Sequence, residues 1–223
     1  MHRNKRIVLT SDGSHTIFLP ELHEHYHSHH GAVQEARHVF LKNGLDYFDH
    51  RQEISILEIG FGTGLNALLT CLHRESQENS GIINYLGLEA FPLNPEDIQQ
   101  MNYTELVGHE ELMEQIHATS WREAHQMTPQ FILTKIDQKI QDFQLDDDSI
   151  DLIYFDAFGP RVQSEMWQKE IFKKMWRCLK QSGVLVTYCA KGQVKRDLRA
   201  CGFGVESLEG PPGKREMIRA LKQ

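Results

Sequence analysis

Residues 54–70 read ISILEIGFGTGLNALLT. Ile54, Ile56, Leu57 and Ile59 make residues 54–59 a mainly apolar stretch, which predicts a buried strand. Gly60, Gly62 and Gly64 follow at alternate positions, and LNALLTCLH at 65–73 then has the spacing of a helix. A strand that turns through glycines into a helix is the opening unit of an α/β fold. Outward from this unit the alternation continues. IINYLGLEA at 82–90 predicts a second strand, and the polar stretch from Pro95 to about His125 predicts helix. FILTKI at 131–136 and IDLIYFDAF at 150–158 predict a third and a fourth strand. SEMWQKEIFKKMWRCL at 164–179 predicts an amphipathic helix, with Met166, Ile171, Met175 and Leu179 among its apolar positions. VLVTYCA at 184–190 predicts a fifth strand and VKRDLRACG at 194–202 a helix ended by Gly202. Short strands near 203–207 and 216–221 would close the sheet. Such alternation predicts a mainly parallel sheet with helices on both faces.

Upstream, residues 5–19 predict a hairpin turning at Asp12-Gly13-Ser14. A helix with Ala32, Val33, Ala36, Val39 and Phe40 on one face follows, ended by Gly44. We divide the chain into an N-terminal extension, residues 1–50, and a main domain, residues 51–223. A length of 223 residues suits one such domain with a small appendage. No apolar run approaches 18 residues, which excludes a helical membrane span. The N-terminus MHRNKRIVLTSDGS is too polar for a secretory signal. Cys71, Cys178, Cys189 and Cys201 form no C-x-x-C pair, so neither a zinc site nor a disulfide framework is expected, and the expected compartment is the cytoplasm.

The glycine loop narrows the ligand. A dinucleotide fingerprint needs G-x-G-x-x-G, but here its third glycine is missing and Asn66 lies nearby. Glu58 stands two residues before the first glycine. A carboxylate there repels pyrophosphate and favours a ligand with an ammonium group. A tight structural turn would use the same glycines. With the strand, the helix and Glu58 taken together, the reading is a site for S-adenosylmethionine (SAM), with no metal. Glu89 ends the second strand, 25 residues past Gly64, where an acid accepts hydrogen bonds from ribose hydroxyls. Asp137 ends the third strand and is expected to accept from the adenine amine. Asp156 ends the buried run at 152–155, and is read as an orienting acceptor for an amine. It is a weak base, since aspartate and alkylammonium pKa values differ by roughly 6.5 units. Phe158 would stack on a base or pack on adenine.

Several segments together resemble the MnmC/MnmD-type methyltransferases, which act on the wobble uridine of tRNA. They are TSDGSHT at 10–16, YHSHHGAVQEARHVFL at 26–41, LEIGFGTGLNALLT at 57–70, YLGLEAFPL at 85–93, YFDAFGPRVQSEMW at 154–167 and GPPGKREMIRA at 210–220. The resemblance covers nearly the whole chain and matches the stand-alone methyltransferase without the oxidase domain. It implies a Rossmann-like class I SAM-dependent methyltransferase fold. It also implies methyl transfer to the amine of 5-aminomethyl-2-thiouridine, giving 5-methylaminomethyl-2-thiouridine. Phe61 and Ala90 join Glu58, Gly60, Gly62, Gly64, Asn66, Glu89, Asp137 and Asp156 as expected cofactor contacts. Tyr26, His27 and Glu35, in a segment folding over the cofactor or the base, join Phe158, Lys191, Lys214 and Arg215 on the substrate side. One departure is Lys135-Ile136-Asp137, where the pattern expects Gly-Asp.

Charge fits that implication. Net charge is −7, yet residues 157–223 carry 14 Lys+Arg against 6 Asp+Glu, while residues 1–156 carry 10 against 25. A basic C-terminal half on an acidic chain can meet the phosphates of an anticodon stem-loop. Lys169, Lys173, Lys174, Arg177, Lys195, Arg196 and Arg199 are further candidates. No membrane partner is expected; a separate enzyme would make the aminomethyl precursor. The histidines at 23, 25, 27, 29 and 30 lack a zinc-site spacing and read as structural or surface groups. Other readings of the residues are a SAM-dependent methyltransferase for a small amine or another macromolecule, and a non-catalytic Rossmann-like binding module.

Overall fold

The computed structural model describes residues 5–77 and 81–223. An N-terminal three-stranded antiparallel sheet, β1 (Arg6–Leu9), β2 (His15–Leu19) and β3 (Glu24–His25), precedes helix α1 (Ala32–Ala36). The Asp12 carboxylate accepts from Ser14 N–H at 3.0 Å and Gln34 N–H at 2.9 Å, so the hairpin turn holds the first turn of α1. The expected long helix is instead α1 followed by a π-helix, Arg37–Lys42, and a 3₁₀ turn, Leu45–Phe48.

The remainder comprises β4 (Glu53–Ile59), α2 (Leu65–Glu75), β5 (Ile82–Leu88), α3 (Pro95–Gln99), α4 (Tyr103–Val107), α5 (Glu110–Ala118), β6 (Ala124–Thr128), β7 (Phe131–Ile136), β8 (Ile150–Phe155), α6 (Lys169–Cys178), β9 (Leu179–Thr187), α7 (Gly192–Ala200), β10 (Phe203–Glu209) and β11 (Glu216–Lys222). The main sheet has the order β10-β11-β9-β8-β4-β5-β7-β6. Its centre is parallel; β6, β10 and β11 join antiparallel. Strand β6 departs from the expected helix through His125. The edge of β7 offers unpaired backbone groups, and the turn at Thr128–Gln130 folds residues 124–128 back onto it.

The strands read as continuous apolar runs because both faces are covered. Ile54, Ile56, Leu152, Tyr154, Val184 and Val186 pack with α1, α2 and α5. The alternate residues Leu57, Ile59, Ile153, Phe155 and Leu185 pack with α6 and α7. Alternation also decides the site: Glu58 and Asp156 continue the first of these rows. The order of strands switches at β4, with β5 and β7 added on one side and β8 and β9 on the other, which opens a cleft at the carboxyl ends of β4, β5 and β8. No helix of the described residues is long and apolar enough to cross a membrane.

Candidate active site

The strand ends are laced together in steps. Glu89 N–H donates to Ile136 O, Gly60 N–H to Leu88 O and Asp156 N–H to Ile59 O, each at 2.9 Å. Gly60 has φ +93°, and a Cβ there would lie 2.6 Å from the Asp156 carbonyl oxygen. Only glycine admits both that conformation and that approach. Above these ends lies a cavity of about 1090 Å³, walled by Gly60, Phe61, Gly62, Asn66, Glu89, Ala90, Asp156 and Phe158 and by Tyr26 and His27 of the N-terminal segment.

At the cavity floor one amide ties Asp156 to a second carboxyl group beneath it. Asn66, on the first turn of α2, donates through Nδ2 to Glu58 Oε1 at 2.8 Å and to Asp156 Oδ2 at 2.9 Å. Tyr85 OH donates to Glu58 Oε2 at 2.8 Å. Glu58 is fully buried, and burial pushes its pKa well above the usual carboxylate range. It lies beneath Asn66 and does not line the cavity, so it meets a ligand through Asn66 and not directly. Asp156 does face the cavity. Burial first, and then the charge of Glu35, push its pKa up to about 7.

Glu89 closes the glycine loop. Its Oε2 accepts from Gly62 N–H and its Oε1 from Phe91 N–H, both at 2.9 Å. From behind, His117 at the end of α5 lies 3.1 Å from Thr63 O. Burial lowers the His117 pKa to about 4, so the ring is neutral near pH 7 and its Nε2 donates. Lys135, at the departure noted in the third strand, donates to Ile116 O and His117 O at 2.8 and 3.0 Å. These are terminal carbonyls of α5, which a lysine satisfies well. Asp137, expected to accept from the adenine amine, is not among the residues that line the cavity. It is exposed and accepts from Arg122 Nε at 2.7 Å, because the chain turns it toward the α5–β6 connection. The cavity wall beyond β7 is made by Gln138, Lys139, Ile140, Gln141 and Asp142 instead. Composition of this turn carried no signal for that contribution.

The N-terminal segment forms the opposite wall. The Tyr26 ring meets Phe158 edge-on at 5.1 Å, and Trp167 Nε1 donates to Phe158 O at 2.8 Å. His27 lies half-buried beside Tyr103, and loss of solvent around the ring lowers its pKa to about 4. Lys5 pairs with Asp97 on the same wall, a contact with no sequence signature. Glu35 and Lys214 do not line the cavity; they pair with each other behind it. Lys191 and Arg215 are exposed outside it, and Gly64 packs against His117.

A family model described as S-adenosyl-L-methionine-dependent methyltransferase matches residues 95–223. The chain belongs to this methyltransferase family. Among curated relatives, the tRNA 5-methylaminomethyl-2-thiouridine biosynthesis bifunctional protein MnmC of Paracidovorax citrulli (strain AAC00-1) is 32% identical over 218 residues, covering 92% of this chain. MnmC of Burkholderia mallei (strain SAVP1) is 28% identical over 231 residues, covering 95% of it. The chain spans about a third of the length of these relatives, 34% in both cases. The crystal structure of MNMC2 from Aquifex aeolicus superposes with a TM-score of 0.81 at 23% identity, covering 99% of this chain and 70% of that one, a likeness of fold.

The cofactor of this methyltransferase family is S-adenosyl-L-methionine, and the cavity fits it. Asn66 Oδ1 is a buried acceptor with no hydrogen-bond partner among the described residues, a position that an ammonium donor satisfies. Carboxylates line the cavity on either side of the glycine loop, at Glu89 and Asp156.

The basic C-terminal half divides in two. Lys174 Nζ donates to Ile140 O, Gln141 O and Phe143 O, Lys195 pairs with Glu216, and Lys169 with Asp197. Lys173, Lys191, Arg199 and Arg215 are exposed and make no ion pair among the described residues.

Proposed function

We propose that this chain methylates the primary amine of 5-aminomethyl-2-thiouridine at the wobble position of tRNA, in the cytoplasm. The observation that carries the reading is the similarity to MnmC over 92–95% of this chain, combined with an ionisable acceptor, Asp156, at the cavity floor. Bound S-adenosyl-L-methionine supplies an already activated methyl group, so the chain contributes alignment and desolvation. Asn66, held by Glu58 beneath it, would receive the methionine ammonium; Glu89 would accept from the ribose hydroxyls. Gly60, Phe61, Gly62 and Ala90 would shape the wall.

Asp156 would accept a hydrogen bond from the acceptor amine and hold it in line. With its pKa near 7, the gap to an alkylammonium of about 10.4 narrows to roughly 3.5 units. The group is thus a better late proton acceptor than an exposed aspartate. Tyr26, His27 and Phe158 would flank the uridine, which leaves its stack more readily in a single-stranded loop. Lys173, Lys191, Arg199 and Arg215 would meet phosphates. The aminomethyl group would come from a separate reaction.

The test is methyl transfer from labelled SAM to tRNA carrying 5-aminomethyl-2-thiouridine, comparing wild type with Asp156→Ala and analysing nucleosides. Methylaminomethyl product from wild type only is expected. Equal activity of the variant removes the role of Asp156, and no product despite SAM binding overturns the acceptor.

A further inference from the structure

The β10–β11 connection, residues 210–215, reads GPPGKR. Gly213 has φ +82°, and a Cβ there would overlap the His30 ring at 1.9 Å, so the connection is moulded onto the histidine-rich segment. From it Lys214 reaches back to pair with Glu35 of α1. Glu35 is only 7% exposed, and its Oε2 accepts from Ser28 N–H at 2.9 Å. The Lys214 ammonium also lies 3.9 Å from the centre of the Tyr188 ring. Tyr188 OH in turn donates to Ala157 O at 2.9 Å, next to Asp156. A partly buried ion pair, its carboxylate enclosed and its ammonium half-buried, therefore sits behind the cavity floor, joined to it through one tyrosine.

We infer that Lys214 is a positioning residue: by neutralising the buried Glu35 it keeps the neighbouring Asp156 carboxylate charged and able to hold the acceptor amine. Two uncompensated carboxylates in one buried region oppose each other's ionisation. The surrounding charges agree. Glu35 raises the pKa of Asp156, while Lys214 lowers it. The other groups facing Asp156 are Glu58, the Asn66 amide, Tyr85, Tyr103 and Tyr188. Burial holds Glu58 and the three tyrosines toward their neutral forms. Among the described residues, Lys214 is the cation that acts on Asp156. This role differs from the phosphate contact that its place in a basic segment suggests.

The inference rests on the assignment of Asp156 above, but its decisive test reads a titration and needs no substrate. Carboxyl-carbon NMR of the aspartate-labelled chain, with the Asp156 resonance identified by its loss in Asp156→Asn, follows the titration directly. Lys214→Met is expected to raise the midpoint by about half a pH unit or more. Glu35→Gln lowers it, the double variant returns it close to wild type, and Lys214→Arg leaves it near wild type. Circular dichroism checks folding, and if Lys214→Met does not fold, the downward shift in Glu35→Gln decides. An unchanged midpoint in folded Lys214→Met, or in Glu35→Gln, overturns the inference.

In turnover, Lys214→Met is expected to lose kcat about twofold or more at pH 7 and regain it at pH 8.5, with KM for tRNA little changed. A rise in KM at every pH, with a shallower salt dependence, would make Lys214 a phosphate contact instead. Failure of methyl transfer to tRNA alone would leave the titration result standing and remove only the acceptor.

Discussion

The Asn66 side-chain amide donates to Asp156 at 2.9 Å, across 90 positions of sequence. The same nitrogen holds Glu58, so one neutral donor serves two carboxyl groups. Replacing it with alanine leaves both with a lost partner. Asn66→Ala is expected to cost about 1–3 kcal/mol in urea denaturation and to weaken SAM binding in calorimetry. Asn66→Asp adds a third carboxyl, and its loss should be larger at pH 8 than at pH 6, since ionisation at higher pH increases the repulsion.

Asp156 should reveal itself through stability against pH. Its folded pKa, about 7, lies above the usual 3.8. The folded chain therefore binds more protons than the unfolded chain between these values. Stability contributed by this group is present below pH 4 and is lost as pH rises toward 7. Asp156→Asn is accordingly expected to raise the urea midpoint at pH 8, with the advantage shrinking by pH 4, while abolishing methyl transfer. A variant less stable than wild type at pH 8 would contradict the burial argument.

The glycine loop is buttressed from behind by His117 and Lys135. His117→Ala removes the contact to Thr63 O and is expected to weaken SAM binding about tenfold, or about 1.4 kcal/mol, with the circular dichroism spectrum unchanged. The His117 pKa of about 4 lies below its ordinary value. The stability cost of charging this ring thus appears as pH falls from about 6.5 to 4, and wild-type SAM affinity should stay flat between pH 8 and 6.5 with respect to this group. Lys135→Met leaves two helix-end carbonyls unpaired and is expected to lower the melting temperature.

Gly60→Ala meets both a left-handed backbone and the Asp156 carbonyl oxygen 2.6 Å away. Separating the ends of β4 and β8 is the only relief. The expected result is loss of SAM binding and destabilisation by about 1–3 kcal/mol, read by calorimetry and thermal melting.

The lysines of α6 make a direct comparison. Lys173→Glu, exposed, is expected to weaken tRNA binding and flatten its salt dependence, with the melting temperature unchanged. Lys174→Glu removes an ammonium from three backbone carbonyls and is expected to lower the melting temperature. Equal effects of the two substitutions on tRNA affinity alone would contradict the division of the basic surface.

What the sequence alone determined is whatever repeats locally. The short apolar runs of strands such as β4 and β8, the apolar spacing of α6 and the glycine turn before α2 are set by backbone geometry within a few residues. These sufficed for the parallel core, for the strand ends at which Glu89 and Asp156 stand and for the first turn of α2 that carries Asn66. Tertiary structure decided what depends on chain segments meeting. Strand β6 forms because β7 has an edge to pair, although its own residues read as the end of a helix. Asp137 follows β7 and pairs with Arg122 at the surface, and residues 138–142 wall the cavity. Lys214 carries the same side chain as Lys173, yet it pairs with the buried Glu35, 179 positions away. A side chain's charge is legible from its letter. Whether that charge meets solvent, a carbonyl or a buried partner depends on which distant groups the fold brings within a few ångströms of it.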